Sequence, residues 1–266
     1  MDRRKRYRIN NDADLRSRRD DMARAHRHFI AGQVWHITQR CHQREFLLGS
    51  DIDRRRWVYW LFQARKRFGL SVLDYVVTRN HIHLLVKDTG PGVIASSMQL
   101  ISGRTAQEFN RRQERRGAFW EDRYHATAVQ SDLHLARALV YIDLNMVRAG
   151  VVKHPSEWKR GGYAELQRPR RRGGRLDYEA LQELLRCGSL RELQLARQSW
   201  VEQKLEEEGC LKRVPEWTES LAVGSFHYAV SMLRHLAASH PGRKTVNTPI
   251  GHVVREPSVV YLDSVP

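Results

Sequence analysis

The sequence predicts an α+β fold, an antiparallel sheet packed with helices, followed by a mostly helical C-terminal extension. Three observations carry this. Two apolar runs, residues 70–77 and 81–86, flank the short polar link Thr78-Arg79-Asn80, the pattern of two neighbouring strands. Helical and extended patterns then interleave without the strict alternation that a doubly wound sheet would give. Finally, 41% hydrophobic residues in a 266-residue chain suffice for a folded core.

Taken in order, residues 1–28 read as an arginine-rich arm of mixed charge, flexible until bound. Residues 34–41 alternate like a strand. Residues 51–68 form an amphipathic helix whose core face takes Ile52, Trp57, Trp60, Leu61 and Ala64, and Gly69 ends it. After the two strands, Gly90-Pro91-Gly92 breaks the chain and a second helix spans about 93–112. Arg115-Arg116-Gly117 makes a turn, and 119–129 is extended, carrying Trp120 and Tyr124. Ser131 is the expected N-cap of a third helix, which runs through Leu135, Leu139 and Ile142 to about Val147. These elements place one domain at residues 29–166. A Pro/Gly/Arg-rich linker at 167–175 leads to an extension at 176–266, helical in pattern to about Ala238 and loosely ordered beyond His240.

The formal net charge of +16 is the strongest bulk signal. A field of that sign attracts polyanions, nucleic acid first among them. Arginine carries most of it, and guanidinium matches phosphate with two parallel hydrogen bonds. A solvated basic surface without a ligand is the alternative. Three scattered cysteines (Cys41, Cys187, Cys210) give neither metal spacing nor a disulfide framework. No apolar run approaches a membrane span, and the N-terminal residues lack the apolar core of a secretory signal. A reducing cytoplasm and no membrane partner are the expectation.

Within this frame His81-Ile82-His83 stands out, because two histidines interrupt an apolar strand. Residues two apart on a strand share a face, roughly 6–7 Å apart along it, close enough for two imidazoles to hold one metal ion. Satisfied core histidines are an equal reading. A second pair, His26-Arg27-His28, sits at the edge of the polar arm with nothing to hold it rigid. On the third helix Tyr141 and Asn145 are four apart and share a face. The Asn145 carbonyl oxygen suits a hard cation such as Mg²⁺ or Mn²⁺. Tyr141 beside such an ion would ionise more easily than at its ordinary pKa of about 10. A half-buried core tyrosine is the competing account.

These residues and their surroundings resemble a known family. Asn80-His81-Ile82-His83-Leu84-Leu85-Val86 is similar to the histidine–hydrophobic–histidine strand of the HUH single-strand nucleases. More narrowly, the chain resembles the REP-associated tyrosine transposases, relatives of the single-tyrosine insertion-sequence transposases. Trp35-His36-Ile37-Thr38-Gln39-Arg40 matches their first strand, and the stretch from Gly103 to Arg112 a helix. Gly117-Ala118-Phe119-Trp120-Glu121-Asp122-Arg123-Tyr124 follows a Gly-x-x-Trp-x-x-Arg-Tyr pattern, and Tyr141 to Gly150 resembles the catalytic helix and its exit. The likeness covers about residues 28–166. Thr78-Arg79 and Met146 depart from the family, which has Met-Pro and Pro at those points.

The resemblance implies a ferredoxin-like or RRM-like core. It implies His81, His83 and Asn145 as ligands of Mg²⁺ or Mn²⁺ and Tyr141 as nucleophile on single-stranded DNA, leaving a 5′-phosphotyrosine and a free 3′-hydroxyl. The substrates it implies are palindromic hairpins with flanking single strand. The residues expected at the DNA are Arg40, Arg104, Arg111, Arg112, Trp120, Arg123, Tyr124 and Arg148, with core packing of Trp120 and plain surface placement of Arg123 as alternatives. Two other function classes stay open: a nucleic-acid-binding protein that keeps the fold without the chemistry, and a metal-dependent hydrolase that activates water and has no use for Tyr141.

Overall fold

The computed structural model describes residues 30–170, 173–207, 209, 211–237 and 242–256. The arm at 1–28, with His26 and His28, lies outside the described residues. The first strand, β1, is Val34–Arg40. Helix α1 follows at Asp51–Phe68. Ser50 starts it by accepting the Asp53 amide at 3.1 Å, and Gly69 closes it at φ +71°, a conformation open to glycine at little cost. Its buried stripe is Trp57, Val58, Leu61 and Ala64, whereas Ile52, expected in the core, is 51% exposed. The first turn turns Asp53 inward instead, where it meets Ser50 and the Arg112 guanidinium. Trp60 is half-buried.

Strands β2, Ser71–Val77, and β3, His81–Lys87, form the expected antiparallel pair, and β3 also pairs β1. Helix α2 spans Val93–Arg112 and packs on α1. Residues 119–124 belong to no regular strand: β4 begins only at His125 and ends at Val129. Helix α3, Leu133–Asp143, is capped by Asp132 rather than by Ser131, the Asp132 carboxylate accepting the His134 amide at 2.8 Å. A kink at Leu144 separates it from the single turn α4, Asn145–Arg148.

The C-terminal part departs most from expectation. Besides helices α5 (Gly162–Gln167), α6 (Tyr178–Leu185), α7 (Leu190–Glu206), α8 (Glu216–Glu219) and α9 (Phe226–Ala237), it adds three strands. These are β5 (Ala222–Gly224), β6 (Lys244–Thr248) and β7 (Gly251–Arg255). The expected loose tail from His240 thus contains a hairpin. The full sheet runs β2-β3-β1-β4-β5-β7-β6, with β4–β5 parallel and every other neighbour antiparallel. The β2 edge is shielded: the Val77 amide donates to Arg160 O, and Val72 O accepts the Asp177 amide.

Register decides what faces what. Thr38 lies opposite His83, Arg40 opposite His81, and His125 opposite Thr38. Strand alternation therefore gathers His36, Thr38, Arg40, His81, His83 and His125 on one face. The other face carries Ile37, Ile82 and Leu84, and Tyr75 reaches from it to Trp57 of α1. Helices α3 and α7 cover the histidine face. Arg197 of α7 is fully buried there, its guanidinium bound to both Asp143 oxygens at 2.7 and 2.8 Å and to Asp74 at 2.5 Å. Burial and the neighbouring Asp143 charge raise the Asp74 pKa well above its ordinary value, against the pull of Arg197. Among the described residues no helix is long and apolar enough to cross a membrane.

Candidate functional site

The site forms where β1, β3 and β4 meet the kink between α3 and α4. His81 and His83 face the same way, with ring centroids 5.1 Å apart and planes at 80°. A third histidine completes a row. His36 is fully buried, its Nε2 lies 2.8 Å from His83 Nδ1, and the two rings stack with centroids 5.0 Å apart. Burial drives the pKa of His36 down to about 3 and that of His81 to about 4, and pushes His83 well below its ordinary value. All three rings are neutral near pH 7, each with one N–H and one lone pair.

The hydrogen bonds then fix which nitrogen holds each proton. His81 Nδ1 meets Asn80 Oδ1 at 2.8 Å and Thr78 Oγ1 at 2.9 Å. The Asn80 oxygen can only accept, so His81 Nδ1 carries hydrogen and Nε2 keeps the lone pair. His83 Nε2 lies 3.0 Å from Asn145 Nδ2, an amide donor, so its lone pair also faces Asn145. His83 Nδ1 must then donate to His36 Nε2, which leaves the His36 proton on Nδ1. That atom lies towards the Trp217 carbonyl without a well-formed hydrogen bond.

Asn145 contacts both ring systems, so two imidazole lone pairs and one amide converge. This donor set fits partial coordination of a divalent cation, provided the Asn145 amide turns its oxygen inward. Among the described residues no group of three or more His, Cys, Asp or Glu could hold a metal by itself, so the set depends on that amide.

Tyr141 sits beside the row, its ring 5.9 Å from His83 and 6.2 Å from both His36 and Trp217. The Arg148 guanidinium stands 4.1 Å over the same ring and donates to the Tyr141 carbonyl at 2.6 Å. Burial raises the phenol's pKa, and the Arg148 and Arg213 charges oppose that rise. These side chains open on a cleft of about 600 Å³.

Of the residues expected from sequence, the cleft brings together Tyr141, His81, His83, Asn145, Arg40, Arg123 and Arg148. It does not gather the rest. Arg104 lies over the Trp60 ring at 5.5 Å on the α1–α2 layer, Arg111 is exposed on α2, and Arg112 pairs with Asp53. Trp120 packs edge-on against Phe119 and donates its indole N–H to Ser102 O at 3.0 Å. Tyr124 is half-buried against the core. Sequence reasoning missed His36, Gln39, His125 and the C-terminal wall of Arg213, Trp217 and Glu219. For His36 a signal existed: His36, Thr38 and Arg40 alternate with Trp35 and Ile37, so one face of β1 is polar.

Residues 31–145 match the family described as transposase, IS200 like. Among solved structures, one of a REP-associated tyrosine transposase bound to a REP hairpin is 19% identical, with a TM-score of 0.46 over 60% of this chain and 96% of that one. A transposase from Deinococcus radiodurans r1 is 18% identical, with a TM-score of 0.33 over 47% of this chain and 89% of that one. No curated protein matches in sequence. Tyr141, His81, His83 and Asn145 all fall within the residues that match the IS200-like transposase family model.

Proposed function

We propose that the protein is a REP-associated type of transposase that cleaves and rejoins single-stranded DNA at hairpin-bearing sites through Tyr141. The observation that carries the reading is the convergence of Tyr141, His81, His83 and Asn145 on one cleft. Tyr141 Oη attacks phosphorus, the bond to the 3′ oxygen breaks, and a 5′-phosphotyrosine forms. The phenol loses a proton and the departing 3′ oxygen gains one, so the proton count is unchanged. Reversal by a 3′-hydroxyl rejoins DNA without a nucleotide cofactor, because the phosphodiester energy is kept in the tyrosyl linkage.

His81, His83 and Asn145 would hold Mg²⁺ or Mn²⁺, which supplies Lewis-acid polarisation of the phosphate and stabilises developing phenolate. The protein's own residues do the rest. Arg148 holds the Tyr141 ring from above and lowers the cost of its ionisation. Arg40 and Arg123 line the cleft where phosphate would pass. His36 keeps His83 in the tautomer whose lone pair faces Asn145. The partner is single-stranded DNA in palindromic hairpins with unpaired flanks, and the setting the cytoplasm.

Labelled hairpin DNA with single-stranded flanks, incubated with Mn²⁺ and run on a denaturing gel, tests this. The wild type should give a covalent protein–DNA band. Tyr141→Phe should give neither band nor cleavage while binding the hairpin within about twofold of wild type, since only the hydroxyl is removed. Cleavage without a covalent band would assign the protein to water-activating hydrolases. A shift with neither band nor cleavage would make it a binding module.

A further inference from the structure

Away from the cleft lining, the loop between β1 and α1 presents an aromatic side chain that the chemistry above does not use. Phe46 is 60% exposed although Leu47 and Leu48 beside it are buried. The Arg79 guanidinium lies 4.5 Å from its ring centroid, on the turn that leads into His81. One face of the ring is thus covered by a cation and the rest is open.

The loop that carries Phe46 is held firmly. Cys41 and Leu48 donate their amides to Asn80 O and Arg79 O at 2.7 and 2.9 Å. Arg54 ties the Leu48 and Gly49 carbonyls at 2.7 Å each. A side chain at Gly49 would press on Phe46 O, at 2.7 Å from the added carbon. Gln43 and Arg44 both take left-handed backbone, at φ 50° and 61°, a costly conformation for non-glycine residues that must be held by its surroundings. Asn80 then links the loop to the site: its Nδ2 donates to Arg44 O at 3.0 Å while its Oδ1 accepts from the ligand candidate His81.

We propose that Phe46 and Arg79 form a binding site for one unpaired nucleotide of the DNA strand, the base stacking on the open face of Phe46 and Arg79 meeting an adjacent phosphate. The inference rests on the reading of the cleft as a single-strand DNA site and adds a contact outside it. A base needs a rigid aromatic platform, and stacking is available only to an unpaired strand. A protein partner would need a contiguous apolar face, but the loop residues around Phe46 are Gln43, Arg44 and Glu45, all exposed. Glu45, the one anion there, is directed at Arg115 at 3.7 Å.

Fluorescence anisotropy on two DNAs tests it: a palindromic hairpin with mixed-sequence single-stranded flanks, and the same hairpin without them. Phe46→Ala should bind the flanked DNA about tenfold more weakly, the effect of one stacked base, and the unflanked DNA as wild type does. Arg79→Gln should weaken flanked DNA several-fold and lower the salt slope by about one. An abasic scan of the flanks should find one position that costs the wild type about tenfold and costs Phe46→Ala nothing. Because Phe46 is exposed, its replacement should leave the melting temperature unchanged.

If the wild type itself does not distinguish flanked from unflanked hairpin, both the platform and the single-strand reading fall. If it does, and Phe46→Ala binds the flanked DNA equally well, the platform alone is refuted. Equal loss on both DNAs also refutes it. So does a change of sedimentation mass in Phe46→Ala without change in DNA affinity, which would make this face a contact between two copies of the chain.

Discussion

Replacing Arg197 by methionine should destabilise the protein severely. The guanidinium is fully buried and carries the charge opposite Asp143, with Asp74 as its second partner. Methionine fills much of the same volume, so the loss is electrostatic. Asp143 would be left as a buried charge beside a second carboxyl, and breaking one side of such a pair costs about 3–5 kcal/mol. At about 2–4 °C per kcal/mol for a chain of this size, the melting temperature should fall by about 6–20 °C. The pH dependence gives a second readout. Without the guanidinium the folded-state carboxyl pKa lies above its unfolded value, so protonation stabilises the fold. The gap between Arg197→Met and wild type should therefore be widest near neutral pH and narrow as pH falls through that raised pKa. Adding Asp74→Asn and Asp143→Asn to Arg197→Met should restore most of the stability, since no buried charge remains. Melting followed by circular dichroism decides. A single mutant within about 2 °C of wild type, or a triple mutant no better than the single one, would refute the argument.

Other outcomes follow from the same contacts. His36→Phe should lower Mn²⁺ affinity by about 10–100-fold, read by electron paramagnetic resonance titration of the DNA-free protein, because His83 loses the acceptor that fixes its tautomer. In chelator, the His36 contribution to stability is fully present above its unfolded pKa of about 6.5 and is lost as pH falls towards the folded value of about 3. His36→Phe should make the acid limb of a stability–pH curve shallower by one proton, about 1.4 kcal/mol per pH unit, and an unchanged slope would contradict the assignment. A fragment of residues 30–175 should form no Tyr141 adduct, because it lacks Arg197, the Trp217 contact to Tyr141 and the strand beside β4. Adduct formation by that fragment at the full-length rate would show that the C-terminal wall is dispensable.

The parts legible in the sequence are those with strong local pattern. The β2–β3 pair shows because both strands are apolar throughout and separated by three polar residues, and α2 shows because glycine and proline mark its start. Spacing and family likeness single out His81, His83, Tyr141 and Asn145, and the fold brings these four to one cleft. The C-terminal strands had no comparable signal. β5 is three residues long, and β6 at the sheet edge is half exposed, so alternation barely registers. Arg197 looks like any charged helical residue until Asp74 and Asp143, far away in sequence, are brought against it. Ile52 misled because it is apolar although its position on the helix is opposite Leu61; the inward place in the first turn belongs to Asp53.

The parallel pairing of β4 with β5 also has a consequence for how the protein is made. Ala128 must find Ala222, and Tyr141 must find Trp217, across about a hundred and about eighty residues of intervening chain. At about 5–20 residues per second, a ribosome that has released Tyr141 and both histidines needs roughly 5–20 s more to deliver the segment that walls them in. During that interval the nascent chain carries Tyr141, His81 and His83 without Trp217 or Arg213 beside them. Non-local strand pairing of this kind also closes slowly. The cleft around Tyr141 is therefore among the last features of the molecule to mature, and a chain halted early in translation would hold its tyrosine in an unfinished cleft.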